Sequence, residues 1–150
     1  MTLDQGSLSA HFGLIRPVHM DAFCDLLVVL RRHFGGDLDR MMVLAIIGSR
    51  TLSRSRIDGM SYDRFITLKR PDEEPPPIDL QSIADASGIP RKTVRRKVKD
   101  LEQAGWIIRR DNGYVIASAR AAHDLAPATE ATLRYLATVV TACNAAIVDR

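Results

Sequence analysis

The chain has 150 residues, 46% of them apolar, enough for one packed domain or a small module with extensions. Its 21 Lys and Arg against 18 Asp and Glu leave a net charge of +3, too small for the overall balance to argue for a nucleic-acid partner, so the placement of the charge decides. Two cysteines without CxxC spacing, four histidines without mutual metal spacing, and the lack of P-loop, GxSxG or HExxH patterns argue against a metal centre, a cofactor and an enzyme.

Residues 1–16 mix Gly, Ser and apolar residues without a period and are read as a flexible N-terminal arm. Pro17 marks a start. From there Met20, Phe23, Leu27, Leu30 and Phe34 step by three and four, a helical stripe that ends at Gly35-Gly36. Leu26, Val28 and Val29 add apolar surface off that stripe, so the helix needs cover on more than one side, which a second subunit would supply. Asp37 is an N-cap candidate for a helix from Leu38 to about Ser53, apolar through Met41, Met42, Leu44, Ala45, Ile46 and Ile47. Residues 17–56 thus form N-terminal helices for core and dimerisation. Residues 57–77 form a linker, in which FITLK fits a strand or a helical turn and RPDEEPPP cannot be regular helix. The longest apolar runs, Leu26 to Leu30 and Met41 to Ile47, fall far short of the roughly 18 to 20 residues of a membrane span. A soluble, cytoplasmic chain without a membrane partner is expected.

Past the prolines, Asp79 N-caps a short helix with Leu80, Ile83 and Ala84 inward and Gly88 just beyond its end. Pro90 and Arg91 open a helix to about Ala104, its inward positions Val94, Val98 and Leu101, and Gly105 ends it. The β-prone segments WIIRR and YVIAS flank Asp111-Asn112-Gly113, a hairpin cue. From about Pro127 a long helix carries Leu133, Leu136, Val140, Cys143 and Ile147 at steps of three and four, so residues 120–150 are read as a C-terminal dimerisation helix.

The stretch PRKTVRRKVK holds six cations in ten residues, which repel one another along a helix. At about 100° per residue, Val94, Val98 and Leu101 share one side and Lys92, Arg96, Lys99 and Gln103 the opposite one, with Arg91 and Arg95 flanking the apolar side. A solvated face is the ordinary reading of such a run. Helix, glycine turn, second helix and hairpin within about forty residues is, however, the order of a winged helix-turn-helix. The segment LQSIADASGIPRKTVRRKVKDLEQAGWIIRR resembles the DNA-binding part of bacterial winged-helix transcriptional regulators of the MarR, GntR and IclR types, over roughly residues 78–119.

The resemblance implies a mostly α fold with a small β-hairpin wing, flanked by N- and C-terminal dimerisation helices. It implies a regulator that binds a pseudo-palindromic site in double-stranded DNA as a homodimer, through recognition helix 90–104 and wing 106–119. Candidate DNA contacts are Arg91, Lys92, Thr93, Arg95, Arg96 and Lys99 on the helix and Arg109 and Arg110 on the wing. Candidate dimer contacts are Phe23, Leu27, Leu30, Leu133, Leu136 and Val140, with packing inside one subunit as the alternative. Lys97 departs from the pattern, because the family places an apolar residue there. A protein-interaction module that offers the basic ridge to an acidic partner is the competing function. Any small-molecule role falls to an effector held in an apolar pocket. Cys24 and Cys143 are read as buried apolar residues in preference to a redox pair, and Arg50, Arg54 and Arg56 as a solvated loop in preference to phosphate contacts.

Overall fold

The computed structural model describes residues 3–51, 59–67 and 76–148. Contacts divide the chain into two compact units, Phe34–Ala126, and Met1–His33 with Pro127–Arg150. The fold is mostly helical with one two-stranded antiparallel hairpin, as the sequence pattern implies.

The first unit holds helices α3 (Leu38–Thr51), α4 (Tyr62–Thr67), α5 (Leu80–Ser87) and α6 (Arg91–Gln103). Strands β1 (Ile107–Arg109) and β2 (Val115–Ala117) and helix α7 (Ala119–Asp124) follow. Local chemistry sets the α5 ends. Asp79 Oδ1 accepts the Ser82 backbone N–H at 2.7 Å, and Gly88 takes φ 74°, where a side chain is strained, so that its N–H reaches the Ala84 carbonyl at 2.9 Å. In the hairpin Ile107 faces Ala117, Ile108 faces Ile116 and Arg109 faces Val115. Asn112 at φ 61° and Gly113 at φ 77° carry the left-handed turn, which explains the Asn-Gly pair.

Apolar periodicity and burial agree in this unit. Val43, Ile47, Ile83, Val94, Val98, Leu101 and Val115 are fully buried in one cluster drawn from α3, α5, α6 and β2. Each such side chain contributes about 1.5 to 3 kcal/mol on leaving water. Two polar devices tie the wing to this core. Thr51, buried at the end of α3, donates its hydroxyl to the Ile47 carbonyl at 2.7 Å and accepts the Ala117 N–H at 3.2 Å. Ile78 exchanges both backbone hydrogen bonds with Val115, at 3.0 and 2.9 Å, as an isolated antiparallel bridge beside β2. Helix α3, grouped by sequence with the N-terminal helices, is therefore packed as part of the winged module. Of FITLK, Phe65 to Thr67 are helical. The linker reading of RPDEEPPP, up to residue 75, and the readings of Arg54 and Arg56 lie outside the described residues.

The second unit contains α1 (Gln5–Ala10), α2 (Phe12–His33) and most of α8 (Ala126–Val148). Two expectations are corrected. Residues read as an arm are helical from Gln5, with Asp4 Oδ1 accepting the Ser7 N–H at 2.8 Å, and Pro17 lies inside α2, which starts at Phe12. The i−4 position facing the proline ring is Gly13, which has open space around it. On α2 only Leu26 is buried; Phe23 and Leu30 are half-buried and Leu27 is exposed. Helix α8 buries the small residues Ala128, Ala131, Cys143 and Ala146 and leaves Leu133, Leu136 and Val140 at 45%, 48% and 50% exposure. His19 and Tyr135 join α2 to α8 through a 2.8 Å hydrogen bond beside Phe23. Cys143 is buried, as read, but Cys24 is exposed.

By length and composition alone α8 is apolar enough to cross a membrane. Arg134 and several Thr interrupt its apolar residues, so the length of unbroken apolar runs does not mark it. A single helix of this kind is weak evidence of a membrane span, since the core helix of a soluble protein passes the same test.

Candidate nucleic-acid interface

Helix α6 is divided into three sides by what packs on it. Val94, Val98 and Leu101 point into the core with no exposed surface. Lys92, Arg96 and Lys99 on the opposite side and Arg95 on a flank are exposed, and none has an ion-pair partner among the described residues. Arg91 is exposed at the first turn, and Thr93 is half-buried beside it.

Both flanks between these faces also carry ion pairs. On one, Lys97 Nζ donates to Asp37 Oδ2 at 2.7 Å, and Arg40 Nη2 lies 3.6 Å from that oxygen and 3.4 Å from Asp100 Oδ2. Asp37 also caps α3, accepting the Arg40 backbone N–H at 2.9 Å. On the other flank Arg109 of β1 donates from Nε at 3.2 Å and Nη2 at 3.0 Å to Glu102 Oε2. Lys97, the residue that departs from the family pattern, is thus a paired cation at the α3 contact, only 18% exposed. Arg109 is held against α6 by Glu102, whereas Arg110 lies exposed at the start of the hairpin turn.

Sequence reasoning found the outward cations and missed these pairs. The signal was present in matched spacings: Asp37 and Arg40 three apart on α3, Lys97 and Asp100 three apart on α6. On α6 the cations without an ion pair among the described residues, Arg91, Lys92, Arg95, Arg96 and Lys99, form a ridge running from the helix N-terminus. Its guanidinium groups can take guanine O6 and N7 as a pair, and its ammonium groups can take phosphates. Among the described residues no three His, Cys, Asp or Glu come together as a metal site.

Two caps carry an acid-side prediction. Burial pushes the Asp37 carboxyl up, but the Lys97 hydrogen bond, the Arg40 N–H and the charges of both cations outweigh it and hold the group below the ordinary 3.8. At Asp79 the Ser82 backbone N–H, then its hydroxyl, and further out the Arg91 charge, lower the carboxyl despite some desolvation. A carboxyl whose folded value lies below its unfolded value binds fewer protons when folded. Its contribution is present above about pH 4 and is lost as pH falls through the lowered value. Urea unfolding is expected to give constant stability from pH 7 to 5 and a fall between about pH 4 and 2, shallower in Asp37→Asn.

No curated protein and no solved structure matches the chain. Residues 74–108 match the model of a family described as winged helix-turn-helix DNA-binding, and α5, the Gly88 turn, α6 and the hairpin give this module the winged helix-turn-helix fold.

Proposed function

We propose that the chain is a homodimeric, MarR-like transcriptional regulator that reads a pseudo-palindromic site in double-stranded DNA. The observation that carries the reading is the exposed, unpaired ridge of Lys92, Arg95, Arg96 and Lys99 on a helix seated in a winged helix-turn-helix core. In this reading Arg91, Thr93, Arg95 and Arg96 face bases at the N-terminal end of α6, and Lys92 and Lys99 neutralise phosphates. The wing contact falls to Arg109 and Arg110, Arg109 joining by exchanging Glu102 for a phosphate.

Support for the dimer comes from the bare apolar surface of the other unit. Leu27, Leu133, Leu136 and Val140 are exposed, with Phe23 and Leu30 half-buried beside them. Those residues suit a second copy related by a two-fold axis, with α2 and α8 as the dimerising helices, whereas residues 120–124, read with the C-terminal helix, form α7 of the other unit. A small-molecule effector would act by changing the spacing of the two recognition helices.

Selection of bound duplexes from a random pool tests this directly. The expected result is one enriched motif with two-fold symmetry and half-site centres roughly 34 Å, one helical turn, apart. Retention without any enriched sequence would reject sequence-specific regulation, and an enriched motif lacking symmetry, from a protein that sediments as a monomer, would reject the dimer.

A further inference from the structure

The geometry points to Lys97 as a positioning residue, which with Asp37, Arg40 and Asp100 sets the rotation and register of the recognition helix and so decides which side chains of its ridge meet the bases. This rests on the DNA-binding reading above. The apolar seat of α6 is non-directional, because Val94, Val98 and Leu101 are attracted to any apolar surface that excludes water. The four charges are directional. Along α3 they run Asp37 then Arg40, and along α6 Lys97 then Asp100, so that opposite signs meet across the contact at 2.7 Å and 3.4 Å. Sliding α6 by one turn would set Lys97 against Arg40 or Asp100 against Asp37, like against like. Charged and polar pairs at otherwise apolar contacts fix register in this way in helical assemblies.

Rotation matters for readout at small angles. An atom about 6 Å from the helix axis moves about 2 Å for a turn of roughly 20°, more than a hydrogen bond tolerates. The Glu102–Arg109 pair restrains the opposite flank at 3.0 Å, so α6 is held from both sides while Lys92, Arg95, Arg96 and Lys99 stay free. Arg40 Nε, buried and without a hydrogen-bond partner, shows what the arrangement costs. The α3–α6 contact accepts an imperfect polar cluster where the family pattern places an apolar side chain.

Asp37→Asn separates positioning from simple electrostatics. Asparagine keeps an oxygen for the Arg40 N–H, so the cap survives, and the variant is one charge more positive. Electrostatics alone would therefore tighten binding to every duplex. Positioning predicts instead that the motif enriched from a random pool of duplexes broadens. The ratio of specific to non-specific affinity should fall by about five- to tenfold, the lower range of what one misplaced bidentate arginine costs. Amide hydrogen exchange should quicken in peptides covering 91–103 of the free protein. Asp100→Asn, which leaves the cap alone, should give the same pattern and serves if Asp37→Asn does not fold. A motif unchanged in a folded variant overturns the proposal. If the wild-type protein enriches no duplex, the regulator reading fails by itself, and unchanged exchange across α6 in the variants then overturns the positioning role independently.

Discussion

Replacing Arg95 and Arg96 together with glutamate is expected to lower duplex affinity by about a hundredfold or more while leaving the protein folded. Each arginine in a bidentate base contact carries about 1 to 3 kcal/mol, and reversal adds repulsion from the phosphates. The fold should tolerate the change because both side chains are exposed and have no ion-pair partner among the described residues; surface substitutions of this kind usually stay within about 0.5 kcal/mol. A salt series divides the ridge by role. Lys92→Ala or Lys99→Ala should weaken all sequences alike and reduce the log–log salt slope by about one, whereas Arg95→Ala should relax preference at particular base pairs. Mobility shifts that are flat with salt and indifferent to the double reversal would remove DNA as the partner.

The largest stability effect is expected from Leu101→Ala. Leu101 is fully buried on α6 within the cluster shared by α3, α5 and β2, and its carbonyl accepts the Trp106 N–H at 3.0 Å where the chain turns into the wing. Truncation removes the transfer energy of three carbons and leaves a cavity, about 2 to 5 kcal/mol together. Against a total of about 5 to 15 kcal/mol that is enough to unfold a substantial fraction of a marginal domain. Urea titration checks it, and a loss under about 1 kcal/mol would contradict the packing described here.

The parts of the fold that were legible are those decided within a few residues. Asp79, Gly88, Pro90 and Gly105 mark helix ends by their own chemistry, the Val94, Val98, Leu101 spacing assigns the inward side of α6, and Asn112-Gly113 marks the hairpin. What was hidden depends on tertiary contact. Asp37 and Lys97 are 60 positions apart, so nothing near Lys97 announces a partner. For the same reason α3 reads as one of a series of N-terminal helices, although it packs on α6. Helix α1 was missed because six residues with Gly6, Ser7 and Ser9 show no apolar period, only the Asp4 cap. Helix α7, with Ser118 as its cap, was too short to separate from the long helix that follows. On the candidate site, the outward cations were readable from a wheel, but the diversion of Arg109 to Glu102 needs the β1 register.

The bare ridge on α6 makes the protein respond to ionic strength in two opposite directions. Lys92, Arg95, Arg96 and Lys99 repel one another in the free fold, and added salt screens that repulsion, so the ridge costs α6 less as salt rises. The same salt removes the entropy of counterion release that drives association with a duplex. On the DNA-binding reading, a duplex and concentrated salt therefore substitute for each other as counter-charge for the ridge, whose cost to the fold is greatest at the low salt where a duplex would bind best.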